Sequence, residues 1–120
     1  MPGITSLQCV VSLLEQWAIP TLLPVAKERG VAVIARECLA NGLLVKAPEE
    51  IDLKAYCQSE EEATRRAAQL AGYRRDAIAR GRPLAGHAID FVRDQDPVAV
   101  TLLGVRTIAQ LDALMRASVQ

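Results

Sequence analysis

The 120-residue sequence predicts an α/β domain built on a small parallel sheet. Two runs, residues 31–35 (VAVIA) and 98–103 (VAVTLL), are apolar, rich in β-branched residues and free of alternation. Strands buried on both faces read this way. Helical patterns lie between them, and strand–helix alternation specifies parallel strands joined by right-handed crossovers.

Residues 4–11 (ITSLQCVV) form a third candidate strand, with Gln8 as a polar residue among apolar ones. Burial obliges Gln8 to find a partner, whereas a frayed terminus leaves it in solvent. A helix over 21–29 ends in AKERG, with cations in its last turn and Gly30 as the stop signal. The strand at 31–35 then runs into Arg36-Glu37, Cys38-Leu39 and the turn Ala40-Asn41-Gly42. Residues 47–56 (APEEIDLKAY) are the one long irregular connection. Ser59-Glu60-Glu61-Glu62 is a capping box, the serine accepting from the third helical amide and the glutamate reaching back. It opens a helix of about five turns that closes near Gly81. Pro83 suits the first turn of the next helix, which carries Leu84, Ala88 and Phe91 on one face. Asp96-Pro97 breaks the chain before the strand at 98–103. Thr107 caps a final helix whose inner face is Leu111, Leu114 and Met115. The glutamates at 60–62 with Arg65, Arg66, Arg74 and Arg75 read as a solvated, ion-paired helix face.

Composition removes several classes of function. Lysine plus arginine equal aspartate plus glutamate, so no global field points to nucleic acid or an acidic membrane. Trp17, Phe91, Tyr56 and Tyr73 are the only aromatics, too few for a base-stacking surface. Cys9, Cys38 and Cys57 contain no C-x-x-C pair, so neither a zinc site nor a disulfide framework is expected. Reduced thiols, the lack of a basic segment before the first apolar run and the lack of a span-length apolar stretch lead us to expect a cytoplasmic protein. Cys38, beside the charged turn, is the one thiol with a case for redox sensitivity.

Three segments in order, LQCVVSLLEQ (7–16), GVAVIARECLANGLLVK (30–46) and VAVTLLGVRTIAQLDALM (98–115), resemble the sixth, seventh and eighth strands of the aldo/keto reductases with their following loops. RPLAGHAIDFVRDQDP is similar to the helix before the eighth strand. The resemblance implies a partial (β/α)8 TIM barrel, roughly the last three βα units, as a single partial domain over residues 1–120. It implies an NADP(H) site. Gln8 would hold the nicotinamide carboxamide and Arg36 would stack on the ring. Glu37, Cys38, Leu39, Ala40 and Gly42 would border the pyrophosphate. Gly104, Val105, Arg106 and Gln110 would cradle the adenosine 2′-phosphate, a helix N-terminus with an arginine being an anion site. Cys38 replaces the family's usual proline, Glu37 a small hydroxyl, and Leu114 the asparagine that contacts adenine.

The resemblance also implies a catalytic Asp, Tyr, Lys and His from the barrel's first half, which this sequence does not match. Tyr56 and Tyr73 lie outside the matching context and His87 falls on an outer helix, so no catalytic residue is assigned. Such a chain would be an inactive, truncated oxidoreductase or one half of a split reductase. It would associate with a complementary N-terminal half-barrel or with itself, because three strands leave both edges open. The alternative is a non-enzymatic α/β interaction module in which Arg36 and Glu37 mark only a strand reaching solvent.

Overall fold

A computed structural model describes residues 3–118. Its elements run β1 (Ser6–Val10), α1 (Ala18–Glu28), β2 (Ala32–Arg36), α2 (Glu60–Ala79), α3 (Leu84–Arg93), β3 (Val98–Thr101) and α4 (Ile108–Ser118). The three strands form one parallel sheet in chain order, β1-β2-β3. Ser6 pairs with Ala32 and Val10 with Arg36; Val33 pairs with Val98 and Ile34 with Val100, so Ala99 is skipped in a bulge. All three expected strands are present, and the parallel pairing follows from the helices between them.

The two sheet faces differ. Cys9, Val11, Val33 and Ala35 turn toward α1 and α3, where they join Leu23, Ala26 and Val92 in the main core. The alternate residues Gln8 and Arg36 are exposed on the other face, with Val10 and Ile34 half-buried. A second cluster, Leu13, Leu14, Leu43, Leu44, Leu70 and Ala88, lies beneath the loops that follow β1 and β2. Leu84, Ala88 and Phe91 of α3 all reach it, as their spacing predicts. A third, Ala85, Ile89, Leu114 and Ala117, joins α3 to α4.

Helix α1 begins at Ala18 rather than 21, so Pro20 lies in the first turn, where amides have no intrahelical acceptor. It ends at Gly30, whose φ of 68° lets Val31 N–H reach back to Ala26 O at 2.9 Å. Helix α2 closes by the same device, with Gly81 at φ 64° and Arg82 N–H donating to Ala77 O at 2.9 Å. At the start of α2, Ser59 Oγ accepts from Glu62 N–H at 3.1 Å, while Glu62 Oε2 takes the amide of Gln58, one residue before the expected Ser59. Residues 47–56 coil into two short 3-10 turns, Pro48–Glu50 and Leu53–Ala55.

The final helix corrects one expectation. Leu114 is buried, but Leu111 and Met115 are 46 % and 60 % exposed. The face is set by docking on α3 through Leu114 and Ala117, which rotates residues 111 and 115 away. The expected ion-paired face of α2 is also absent: among the described residues no ion pair joins two of its side chains. Arg66 instead crosses to the loop after β1.

Candidate functional site

The C-terminal ends of the strands converge on one rim. Parallel pairing aligns Gln8 with Ile34 and Val10 with Arg36, so Gln8 and Arg36 share the open sheet face one two-residue step apart. Neither is driven there by its own preference. Alternation along a pleated strand sends Cys9 and Ala35 inward and so turns their neighbours outward. The loop after β3 leaves the same end of the sheet and carries Gly104, Val105 and Arg106.

Arg36 Nη1 lies 3.7 Å from Glu37 Oε2, and both side chains are about half exposed. That contact orients the pair without adding appreciable stability. Beyond it the backbone is forced. Glu37, Ala40 and Asn41 have φ of 55°, 53° and 58°, and Gly42 has 92°. Left-handed non-glycine residues persist only where surrounding contacts over-determine them. Here Cys38, Leu43 and Leu44 are sunk in two cores, and Ala40 N–H to Glu37 O at 3.0 Å and Leu44 N–H to Leu39 O at 3.2 Å tie the loop.

Cys38 is 1 % exposed, and its Sγ donates to Ala35 O at 3.4 Å. Burial pushes its thiol up to about 11. The expectation of a redox-sensitive thiol is therefore overturned, since reactivity needs an exposed thiolate. Leu39 is half-buried against the second and third clusters. The Cys38 side chain is thus not available at the rim.

At the third strand's end, Thr107 Oγ1 accepts from Gln110 N–H at 3.1 Å, confirming the expected cap. Gln110 Oε1 in turn accepts from Arg106 N–H at 2.7 Å and Thr107 N–H at 3.3 Å. Two amides of the anticipated anion site thus already have an acceptor. The Arg106 guanidinium is exposed and has no partner among the described residues. A Cβ added at Gly104 would meet nothing within 4 Å, and its φ is not left-handed. No described neighbour requires glycine at that position. Leu114 turns into the core, so its side chain is removed from the rim.

A cleft of about 300 Å³ opens nearby, between the loops after β1 and β2 and the start of α2. Glu15, Trp17, Glu37, Tyr56, Glu62 and Arg66 line it. Of the residues singled out from sequence it includes Glu37 and Ala40; Gln8, Arg36 and Arg106 lie outside it. Arg66 was missed as a structural residue. It donates to Leu14 O at 2.7 Å and to Glu15 Oε1 at 2.8 Å. Tyr73 Oη donates to Leu13 O at 2.9 Å, so α2 pins the loop after β1 twice. The two tyrosines and the histidine are otherwise engaged: Tyr56 Oη contacts Asn41 O at 3.5 Å, and His87 is buried in α3. No group of three or more metal-ligating side chains occurs among the described residues.

The model of the aldo/keto reductase family matches residues 1–120. The glycerol dehydrogenase AKR11B4 from Gluconobacter oxydans superposes with a TM-score of 0.74 at 24 % identity, over 91 % of this chain and 36 % of that one. The holo form of the aldo-keto reductase AKR11C1 from Bacillus halodurans gives 0.69 at 26 % identity, over 96 % and 37 %. No curated protein matches the chain significantly. The chain spans a little over a third of the length of the solved structures it matches.

Proposed function

Because the chain belongs to the aldo/keto reductase family, we propose that it forms the cofactor-holding part of an NADP(H)-dependent oxidoreductase barrel. Bound there, the cofactor would supply the hydride for interconverting a carbonyl and an alcohol. Gln8 and Arg36 would hold its nicotinamide end from the open sheet face, and the backbone of the loop at 37–42 would border its pyrophosphate. The Arg106 guanidinium would take the adenosine 2′-phosphate. The observation that carries this reading is an exposed Arg106 guanidinium, without a partner among the described residues, in the loop that leaves the same end of the sheet as Arg36. A planar, permanently charged guanidinium matches a phosphate.

The acid that protonates the carbonyl oxygen has no candidate here. Tyr73 is committed to Leu13 O, Tyr56 lies in the irregular connection, and His87 is buried in a helix. On this reading the Asp/Tyr/Lys/His set belongs to another part of the barrel, and these 120 residues alone bind cofactor without turnover. Titration with NADPH, followed by nucleotide fluorescence, tests it. Saturable binding is expected, weakened by about tenfold or more in Arg36→Ala and in Arg106→Ala, and weakened in Gly104→Val. Binding that is absent, or indifferent to all three changes, refutes it.

A second reading, a non-enzymatic α/β interaction module, is favoured by one observation: apolar side chains stand exposed on β3 and α4.

A further inference from the structure

The cleft between the loops after β1 and β2 has walls of two kinds, aromatic and acidic. Its volume of about 300 Å³ is at the small end for ligand pockets. The chain has only four aromatic residues, and two of them, Trp17 and Tyr56, line it. Both rings remain exposed, Trp17 at 56 % and Tyr56 at 40 %. Three carboxylates, Glu15, Glu37 and Glu62, share the lining with one guanidinium, that of Arg66. That guanidinium is already engaged: it donates to Leu14 O at 2.7 Å, to Glu15 Oε1 at 2.8 Å and to Gln69 Oε1 at 3.2 Å. Glu15 is thereby neutralised, and two carboxylates remain. Glu62 accepts the Gln58 amide at 3.0 Å and meets no cation among the described residues. Glu37 has Arg36 at 3.7 Å, a loose contact made from outside the cleft. Ser12 also lines the cleft and is wholly buried. Its Oγ accepts from Leu14 N–H at 3.2 Å and Glu15 N–H at 3.0 Å, while its own proton has no acceptor among the described residues.

We propose that this cleft is a binding site for a small organic cation of the ammonium-alcohol class. Its charge would lie against the Trp17 and Tyr56 rings, whose faces attract cations. Glu37 and Glu62 would supply the counter-charge, and Ser12 a donor for its oxygen. Three observations select this occupant. The uncompensated charge in the lining is negative, which disfavours an anion. No three metal-ligating side chains converge among the described residues, so the carboxylates stand apart as those of a metal site do not. Two aromatic rings favour a cation with an apolar skin over a bare, strongly hydrated ion. The walls are also held in advance of binding. Arg66 and Tyr73 pin the loop after β1, and Tyr56 Oη reaches Asn41 O at 3.5 Å on the other side. A site preset in this way loses less freedom when it fills. Gln8, Arg36 and Arg106 lie outside the cleft, so the inference holds or fails independently of the cofactor assignment.

Trp17 is the only tryptophan, so its emission reports on this cleft alone. The test titrates the 120-residue chain with choline, followed by calorimetry and by tryptophan emission, and uses no nucleotide. Saturable binding is expected below about 10 mM, with the same midpoint in both signals. The neutral isostere of choline, with carbon in place of the ammonium nitrogen, keeps the shape and the hydroxyl but not the charge. It should bind about tenfold more weakly or worse, a comparison made on the parent protein and so independent of whether any variant folds. Glu37→Gln and Tyr56→Leu should each weaken choline by about threefold or more, whereas Glu28→Gln, exposed on α1 and outside the cleft, should not. Equal binding of the neutral isostere would overturn the proposal. So would heat of binding without a change in Trp17 emission, indifference to both cleft variants, or no saturation below about 10 mM.

Discussion

Cys38 follows the charged pair at the end of β2, yet it is among the least accessible side chains in the molecule. Its thiol ionises near 11 in the fold, against an ordinary value of 9.0. Between those two pH values the unfolded chain has lost a proton that the folded chain retains. Unfolding therefore becomes easier as pH rises. Stability owed to the protonated, buried thiol is whole below 9.0 and is lost as pH climbs through about 11. The thermal midpoint of the parent should fall more steeply across that window than that of Cys38→Ala. At pH 8 an alkylating reagent should modify the half-buried Cys57 well before Cys38, as read by peptide mass spectrometry. Prompt labelling of Cys38 would contradict its burial.

Helices α3 and α4 approach so closely that one glycine decides their contact. A Cβ at Gly86 would collide with the Ala117 carbonyl, a backbone atom that cannot rotate aside, and would press on the Arg82 guanidinium. Gly86→Ala should destabilise the fold by about 1–3 kcal/mol in denaturant unfolding. Gly72 on α2 supplies the contrast, since its added Cβ would meet only an Arg75 nitrogen at 3.8 Å. There the same change should stabilise by about 0.5–1 kcal/mol. Elements of this kind were legible from sequence where a local pattern made them. Unalternating apolar runs gave the strands, Gly30 and Gly81 gave two helix ends, and Thr107 gave a cap. What stayed hidden depends on distant partners. The bond from Arg66 to Leu14 spans 52 residues, so spacing within α2 could not reveal it. The left-handed Glu37 and Ala40 are likewise invisible, because neither residue type favours that conformation as Asn41 and Gly42 do. The apolar residues of α4 were recognised, but a periodic pattern does not say which neighbour each stripe serves. For the rim, the resemblance supplied the positions and the sheet register supplied the shared face of Gln8 and Arg36.

Across the whole molecule, the radius of gyration is 15.2 Å, against about 13–14 Å for a compact domain of this length. Among the described residues the sheet is open, with two free edges and one face that carries exposed Gln8, Arg36 and Val100. Protection from exchange should follow this layout. Amides of the central β2 are expected to exchange slowest among the strands, and those of β3, which has one neighbour and a bulge, fastest. Hydrogen-exchange mass spectrometry reporting β3 as the slowest strand would be incompatible with it. The chain-order arrangement β1-β2-β3 also bears on biosynthesis. As these three strands leave the ribosome, β2 finds β1 already made and β3 finds β2, so no gap between them waits for a later segment. Pairing within this sheet can therefore proceed strand by strand, the central β2 being flanked only once β3 has arrived.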